Sequence, residues 1–336
     1  MPVVTGFGVF GDPPRVGWRD GDEVVDLSGL GESFRRPSLN MLMARGRSAW
    51  EDAVGRAQEH DGPRTKPAAP RLPFEVADYV DFNSSLEHAT NVGRLLRPDA
   101  EPLHPNWRRL PVGYHGRAGT VVVSGSDVVR PRGQIDPPEP VYAPTRKLDF
   151  ELELGFVVGV PGRGPIPTER FADHVFGVVL VNDWSARDIQ AWEYVPLGPF
   201  LGKSFQTSIS AWVTPLSMLH RVHAPPQDPP PLPHLAGGRD WALDIDLAIE
   251  LNGAVISRGN ARTLYWTMAQ QLAHVTSNGA TVRTGDLMAT GTISGFEPGT
   301  AGSLLETEGP YLEDGDEVVL RGSGLGEVRG RVQAAL

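Results

Sequence analysis

Short apolar segments separated by turns rich in glycine and proline predict a strand-rich N-terminal region. Strands are predicted over residues 3–10, 15–18 and 23–27. Residues 39–60 carry the apolar spacing of a helix, and residues 61–73 hold four prolines and several charges, which is typical of a linker. We therefore predict an N-terminal β domain with its helix and linker over residues 1–75, and a second domain over residues 76–336.

The second domain has more strand-like segments but no regular alternation of strands and helices. Strands are predicted over residues 120–124, 150–160, 174–181, 242–252, 254–257, 286–290, 317–321 and 327–332. Asn252-Gly253 predicts a hairpin turn, and residues 264–277 predict a helix. The absence of a repeating βαβ pattern indicates an α+β chain, mainly β, built on mixed sheets.

The composition excludes several classes of function. The 336 residues include no cysteine, so any metal must be held by oxygen or imidazole ligands. The net charge of −10, without an obvious basic stripe, argues against a nucleic-acid partner. The N-terminus has no signal-peptide pattern, and no segment approaches the roughly 20 apolar residues that span a bilayer. We expect a soluble, cytoplasmic protein without a membrane partner.

Two carboxylates in the predicted strand 150–160 are the first candidate for chemistry. Glu151 and Glu153 alternate with Leu152 and Leu154, so the two carboxylates share one face of the strand, about 7 Å apart. A divalent cation would offset their mutual repulsion and their desolvation. The pattern equally fits the solvated face of an antiparallel sheet, so both interpretations stay open at this point.

A second polar stripe follows the buried strand 174–181. One face of a predicted helix carries four polar side chains, a pattern compatible with an open pocket. They are Asp183, Arg187, Gln190 and Tyr194. Asp183 is equally compatible with a helix N-cap paired to Arg187. Lys203 stands among glycine and apolar residues, which suits either a solvated lysine or one held against carboxylates.

A histidine near a predicted helix start is the candidate general base. Ser84 or Ser85 can cap this helix, which places His88 in its first turn. The helix dipole disfavours a charged imidazole there, and a neutral imidazole is what a general base requires. An ordinary surface histidine fits the same pattern, and His115 is a rival candidate.

Motifs in order along nearly the whole chain resemble the fumarylacetoacetase family. They are Phe-Gly-Val-Phe at 7–10, Asp-Phe at 81–82 with Ser-Ser at 84–85, His-Ala-Thr-Asn-Val-Gly at 88–93, Pro-Asn-Trp at 105–107, Leu-Pro-Val-Gly-Tyr-His-Gly-Arg at 110–117, Glu-Leu-Glu at 151–153, Asn-Asp-Trp-Ser-Ala-Arg-Asp at 182–188, Gly-Lys-Ser-Phe at 202–205, Tyr-Trp-Thr-Met at 265–268, Gly-Thr-Ile-Ser-Gly at 291–295 and Gly-Ser-Leu-Leu-Glu at 302–306.

The resemblance implies a fold and a set of site residues. The implied fold is an SH3-like N-terminal barrel followed by a mixed β-sandwich roll, usually assembled as a homodimer. The implied ligands of one divalent cation, Mg²⁺, Ca²⁺ or Mn²⁺, are Asp81, Glu151, Glu153 and Asp183, supported by Lys203 and Thr207. His88 is implied as the base for water, oriented by Glu306. The implied substrate contacts are Asn83, Arg97, Tyr114, Gln190, Tyr194 and Thr292.

The implied reaction is hydrolysis of a carbon–carbon bond in a 1,3-diketo acid. Fumarylacetoacetate would give fumarate and acetoacetate, the last step of tyrosine and phenylalanine catabolism, with Arg187 and Lys203 stabilising negative charge. The family usually has tyrosine where this chain has Asn83, which affects substrate specificity rather than reaction class. Acylpyruvate hydrolysis, a keto-acid decarboxylase/isomerase activity and a non-catalytic metal-binding scaffold are the alternatives.

Overall fold

Strands dominate the protein in a computed structural model that describes residues 3–136 and 138–336. The strands are β1 (Thr5–Phe10), β2 (Arg15–Asp20), β3 (Glu23–Asp26), β4 (Arg64–Thr65), β5 (Tyr79–Phe82), β6 (Gly113–His115), β7 (Val121–Val123), β8 (Val128–Val129), β9 (Arg132–Ile135), β10 (Val141–Pro144), β11 (Leu148–Asp149), β12 (Leu152–Val158), β13 (Val175–Asp183), β14 (Ser185–Ala186), β15 (Thr207–Ile209), β16 (Trp212–Pro215), β17 (Arg221–Val222), β18 (Ala242–Leu243), β19 (Asp246–Leu251), β20 (Ala254–Asn260), β21 (Leu287–Ala289), β22 (Glu317–Gly322) and β23 (Gly326–Gln333).

Helices are short and lie between the strands. They are α1 (Asn40–Met43), α2 (Arg47–Glu59), α3 (Leu86–Leu96), α4 (Phe171–His174), α5 (Arg187–Glu193), α6 (Leu201–Ser204) and α7 (Met268–Thr276). The prediction of an α+β chain that is mainly β is confirmed. The single helix predicted over residues 39–60 is wrong, because Gly46 adopts φ of +86° and separates α1 from α2.

The N-terminal strands continue into the large sheet of the protein. Its strand order is β4-β3-β2-β1-β16-β13-β12-β21-β5-β6, with β15 and β7 attached beside β13. Phe7 of β1 faces Val213 of β16 across the junction. Among the described residues this path does not close into a barrel, so the SH3-like barrel and the boundary at residue 75 remain predictions.

A second sheet of five strands, ordered β20-β19-β22-β23-β8, covers the other side of the core. Its first hairpin confirms the predicted turn, because Asn252 and Gly253 both adopt positive φ, at 51° and 80°. The predicted helix 264–277 is shorter than expected. It begins at Met268, where Thr267 and Gln270 form a capping box.

The central strands lie between two apolar clusters, because alternate side chains of a strand point to opposite faces of the sheet. Leu152, Leu154 and Phe156 of β12 face one cluster, which lies between the two sheets. Val179 and Val181 of β13 face the other, together with the N-terminal strands and α2. Odd-numbered positions near the ends of β5, β12 and β13 therefore share a single face of the large sheet.

Phe176 is expected to be essential for attaching the N-terminal strands to this sheet. Its ring lies 5.9 Å from that of Phe7 and 5.6 Å from that of Trp50, and the side chain is fully buried. Phe176→Ala should lower the free energy of unfolding by about 3–5 kcal/mol, since a large cavity forms. Urea denaturation measures this change. Phe296→Ala, at a 55% exposed position, is the control and should change stability by less than about 0.5 kcal/mol. Equal effects of the two variants would contradict the prediction.

Candidate active site

Four buried carboxylates converge on one face of the large sheet. They belong to Asp81, Glu151, Glu153 and Asp183, and each offers one oxygen within 4.8 Å of the oxygens offered by the others. All four side chains are buried. The structure therefore brings together the four residues that the sequence implied as metal ligands.

Strand register explains why these four residues meet. Asp81 of β5 pairs with Ala289 of β21, and Ala289 pairs with Gly155 of β12. Glu153 lies one pleat before Gly155 on the same face, and its strand neighbour β13 carries Asp183. Residues far apart in sequence thus reach one small volume through three adjacent strand pairings.

Glu153 is held by a backbone position that only glycine satisfies well. The Gly291 N–H donates to Glu153 Oε2 at 3.0 Å. Gly291 has φ of +81°, and a Cβ atom there would lie 2.1 Å from the Phe82 carbonyl oxygen. A larger residue at position 291 would therefore displace the loop that fixes this carboxylate.

Two of the four carboxylates have cationic partners. Lys203 Nζ contacts Glu151 Oε2 and lies 2.6 Å from Asp183 Oδ2, and Arg187 Nη2 lies 2.8 Å from Glu151 Oε1. Burial acts to raise the pKa of Glu151, but the charges of Lys203 and Arg187 outweigh it and lower the pKa to about 2. The lysine is buried among carboxylates, so the alternative of a solvated lysine is excluded.

The other two carboxylates, Asp81 and Glu153, have no such partner among the described residues. Asp81 Oδ1 and Glu153 Oε1 are buried oxygens without a hydrogen-bond donor. Burial raises the pKa of both groups well above the usual range, and their carboxylate neighbours raise it further. Unpaired hard oxygen ligands of this kind are what a divalent cation requires, so the cluster fits a metal ion.

Asp183 lies at the end of β13 and not on the helix that follows. The helix α5 begins at Arg187, and its N-cap residue Ala186 provides no side-chain hydrogen bond. The predicted continuous helical stripe and the N-cap role of Asp183 are both wrong. Arg187 pairs with Asp149 and Glu151, not with Asp183. The sequence pattern missed the short strand β14, which separates Asp183 from the helix.

Two neighbours hold the Asp183 carboxylate in place. Thr207 faces Asp183 across the β13–β15 pairing, and its hydroxyl donates to Asp183 Oδ1 at 3.0 Å. Tyr114 faces Asp81 across the β5–β6 pairing, and its hydroxyl donates to Asp183 Oδ2 at 3.1 Å. Thr207 thus lies where a supporting residue is expected, and Tyr114 lies at the edge of the cluster.

A histidine–carboxylate pair lies beside the cluster. Ser85 is the N-cap of α3, and its Oγ accepts from the His88 backbone N–H at 3.2 Å. His88 Nδ1 lies 2.8 Å from Glu306 Oε1, and the imidazole is almost fully buried. A proton on His88 lowers the pKa of Glu151, so the ring lies within electrostatic range of that carboxylate. His115, the rival candidate, is exposed on β6.

Glu306 is held as an anion by several donors. His88, Ser294 and Ser303 contact Oε1, and Asn91 donates to Oε2 at 2.9 Å. Burial acts to raise the pKa of Glu306, but the charge of His88 and these hydrogen bonds lower it to about 2. In the neutral tautomer that directs Nδ1–H at this anion, the lone pair of His88 is on Nε2.

The remaining predicted substrate residues are placed less uniformly. Asn83 has a buried Oδ1 without a donor, and Thr292 is buried in the loop after β21. Gln190 accepts from Arg187 Nη1 at 3.2 Å, and Tyr194 is half exposed at the end of α5. Arg97 ends α3 and contacts the Pro102 carbonyl oxygen. No hydrogen bond or ion pair among the described residues links Arg97 to the four carboxylates.

A small cavity of about 120 Å³ adjoins the cluster. Its lining residues include Tyr79, Tyr114, Phe200 and Lys203. A larger cleft of about 580 Å³ lies between α2 and the segment 215–221, but it contains none of the four carboxylates. The four carboxylates do not line the smaller cavity either, but two residues that contact Asp183, Lys203 and Tyr114, do. We therefore favour the smaller cavity as the approach to the site.

Comparisons with known proteins show the family of this chain. Residues 79–333 match the family model described as fumarylacetoacetate (FAA) hydrolase C-terminal. The chain is 43% identical to a human protein named fumarylacetoacetase, with 98% of this chain and 95% of the relative covered. It is 44% identical to the Arabidopsis thaliana protein of that name, with 94% and 89% covered. The human alignment runs over 398 positions against 336 residues here, so the relative holds segments that this chain lacks.

Solved structures share the fold at low sequence identity. A fumarylacetoacetate hydrolase from Exiguobacterium antarcticum superimposes with a TM-score of 0.69 at 20% identity, covering 98% of this chain and 99% of that one. A maleylpyruvate hydrolase from a Sphingobium species superimposes with a TM-score of 0.63 at 17% identity, covering 98% and 100%.

None of the helices in the described residues combines the length and apolarity needed to cross a membrane.

The cluster is expected to bind one divalent cation per chain. After dialysis against a strong chelator, Mn²⁺ titration followed by electron paramagnetic resonance should show one site. Glu153→Gln should weaken this binding by at least about tenfold. Substituting a residue that only hydrogen-bonds to a metal ligand already lowers metal affinity by about 10–100-fold. Asp286→Asn, at a buried carboxylate outside the cluster, is the matched control. Unchanged affinity in Glu153→Gln would exclude this residue as a ligand.

Proposed function

The chain belongs to the fumarylacetoacetate hydrolase family, and on this premise we propose that it hydrolyses a carbon–carbon bond in 4-fumarylacetoacetate, giving fumarate and acetoacetate. The family match covers residues 79–333, and the named relatives align over nearly their whole length. The observation that carries the proposal is the His88–Glu306 pair beside four converging carboxylates. In an organism that degrades tyrosine and phenylalanine, this reaction is the last step.

The proposed base is His88. Its Nδ1–H donates to Glu306, so the Nε2 lone pair is free to take a proton from water. The hydroxyl group adds to a carbonyl carbon, the adjacent carbon–carbon bond breaks, and its electron pair leaves as an enolate. The enolate carbon then takes a proton, so the elements of one water are divided between the two products.

The four carboxylates would hold the cation, which would supply a Lewis acid for the developing negative charge of the reaction. We propose Mg²⁺ or Ca²⁺, with Mn²⁺ as a further candidate, because all three accept carboxylate oxygen. Lys203 and Arg187 bring the charge of the four carboxylates from about −4 to about −2. A divalent ion then makes the site roughly neutral before an anionic substrate arrives.

Substrate contacts are proposed around the adjoining cavity. Tyr114 and Lys203 line it. Half-buried Asn83 and buried Thr292 follow strands β5 and β21. Gln190 and Tyr194 are proposed to reach the substrate from α5, and Arg97 to pair with a substrate carboxylate after leaving the Pro102 carbonyl. The unpartnered Oδ1 of Asn83 suits a hydrogen bond accepted from the substrate or from water.

His88→Ala should lower turnover of fumarylacetoacetate by about 10²–10⁴-fold, the usual contribution of a general base. Loss of diketone absorbance measures turnover, and Mn²⁺ binding should stay intact because the four carboxylates remain. His220→Ala, at an exposed histidine, is the control.

The outcomes separate the base assignment from the substrate assignment. Normal turnover in His88→Ala would exclude His88 as the base. A wild-type chain that acts on acylpyruvates or decarboxylates related keto acids, but leaves fumarylacetoacetate intact, would move the function to those relatives. Inactivity on every 1,3-diketo acid would favour a metal-binding scaffold.

We further propose a homodimer that buries the apolar surface after α5. The segment 192–201, from the end of α5 to the start of α6, exposes the side chains of Trp192, Tyr194, Val195, Leu197, Phe200 and Leu201. Leu197 and Phe200 are 95% and 65% exposed in the single chain, which is costly for large apolar side chains.

A cytoplasmic location remains a prediction from the sequence, which subcellular fractionation tests.

Leu197→Asp should shift the protein from dimer to monomer, because a charge would be buried without a partner. Light scattering coupled to size-exclusion chromatography measures the mass. Leu232→Asp introduces the same charge at another exposed leucine and should leave the dimer intact. A monomeric wild-type chain would contradict the assembly, and a dimeric Leu197→Asp variant would contradict the surface.

A further inference from the structure

We propose that Asp149 is a positioning residue. It holds the His88–Glu306 pair in a fixed position relative to the four carboxylates. The proposal rests on the proposed function, because it explains how the proton acceptor and the cation ligands keep one geometry. Asp149 is fully buried and is not itself among the four converging carboxylates. Its side chain instead links the two parts of the site.

The Asp149 carboxylate receives four hydrogen bonds. Oδ1 accepts from the backbone N–H groups of Phe150 and Leu304, both at 2.8 Å. Oδ2 accepts from the Leu305 N–H at 3.0 Å and from Arg187 Nε at 2.9 Å. Burying a carboxylate this completely is costly unless its acceptor capacity is used, and here it is used.

On one side, Asp149 fixes the loop that presents Glu306. Leu304 and Leu305 begin the 3-10 helix Leu305–Thr307, whose first N–H groups have no acceptor within the helix. Asp149 supplies that acceptor from 155 residues away in the chain. Because Glu306 follows directly after these two amides, the position of its carboxylate beside His88 depends on them.

On the other side, Asp149 fixes a contact of the cation ligands. Arg187 donates through Nε to Asp149 and through Nη2 approaches Glu151 Oε1 at 2.8 Å. A guanidinium is planar and rigid, so holding one edge orients the other. Asp149 and Glu151 are also only two residues apart along the chain. One carboxylate thus ties the cation ligands and the water base to the same short segment.

Asp149→Asn tests this role, because an amide keeps the shape but turns one acceptor into a donor that opposes Arg187 or Leu305. With Mn²⁺ bound, kcat on fumarylacetoacetate should fall about 10–100-fold, since small misplacements of catalytic groups carry costs of that size. KM should stay within about threefold. Mn²⁺ affinity should fall by up to about 10–100-fold, because the Arg187 contact to Glu151 is loosened, so kcat is measured at saturating Mn²⁺. Asp286→Asn makes the same change at another buried aspartate and should leave kcat unchanged.

A double-mutant cycle separates positioning from general weakening of the fold. If Asp149 acts through Glu306, then adding Asp149→Asn to Glu306→Gln should lower kcat by less than about threefold further. A full additional loss of 10–100-fold would overturn the proposal, and so would an unchanged kcat in the single variant. If Asp149→Asn folds poorly, Asp149→Ser carries the same cycle, because its hydroxyl oxygen accepts and its O–H can rotate away from the neighbouring donors.

A measurement without turnover distinguishes this proposal from the proposed function. In the full chain labelled with ¹⁵N-histidine, the His88 Nδ1 resonance, assigned by its loss in His88→Ala, should shift in Asp149→Asn and stay in place in Asp286→Asn. A shift in a chain that turns over no diketo acid would keep the positioning role and reject the function. An unshifted resonance in an active chain would reject the positioning role alone.

Discussion

Repulsion among four buried carboxylates is the constraint on which the rest of the site depends. Their offered oxygens lie within 4.8 Å of one another, away from water. Lys203 and Arg187 compensate Glu151 and Asp183, whereas Asp81 and Glu153 keep unpaired oxygens and raised pKa values. This asymmetry leaves a place for positive charge on the side of Asp81 and Glu153. A divalent cation there allows all four carboxylates to be ionised together.

The carboxylates are held by a rigid sheet, whereas the residues proposed to move the proton lie in helical segments outside that sheet. Strands β5, β12 and β13 carry Asp81, Glu153 and Asp183 at fixed spacing, since register allows little relative movement, and Glu151 directly precedes β12. His88 lies in the first turn of a capped helix, and Glu306 lies in a short 3-10 helix. The 3-10 helix that carries Glu306 needs its own anchor to the sheet. Asp149 and Arg187 form that connection.

Several features of the site follow from local sequence pattern, and others do not. Alternation in Glu151-Leu152-Glu153 predicts two carboxylates on one face, and the structure places them so. Serine spacing predicts the cap of α3, which Ser85 provides. The helical stripe through Asp183 and Arg187 failed, because side-chain spacing alone cannot show the short strand β14 between them. Asp149 continues the odd-numbered face of Glu151 and Glu153, so the same alternation could have found it.

The sequence by itself determined the strand-rich class, the exclusion of thiol chemistry and, through resemblance to a family, the identity of the four carboxylates and the histidine. Periodicity is local, so it relates only residues a few positions apart. The tertiary structure decided how these residues meet: Asp81 reaches Glu153 through β21, Lys203 is buried between carboxylates, and Glu306 contacts His88 Nδ1. The contacts of His88 with Glu306 and of Lys203 with Glu151 join residues 218 and 52 positions apart, and strand register and loop anchoring bring such segments together.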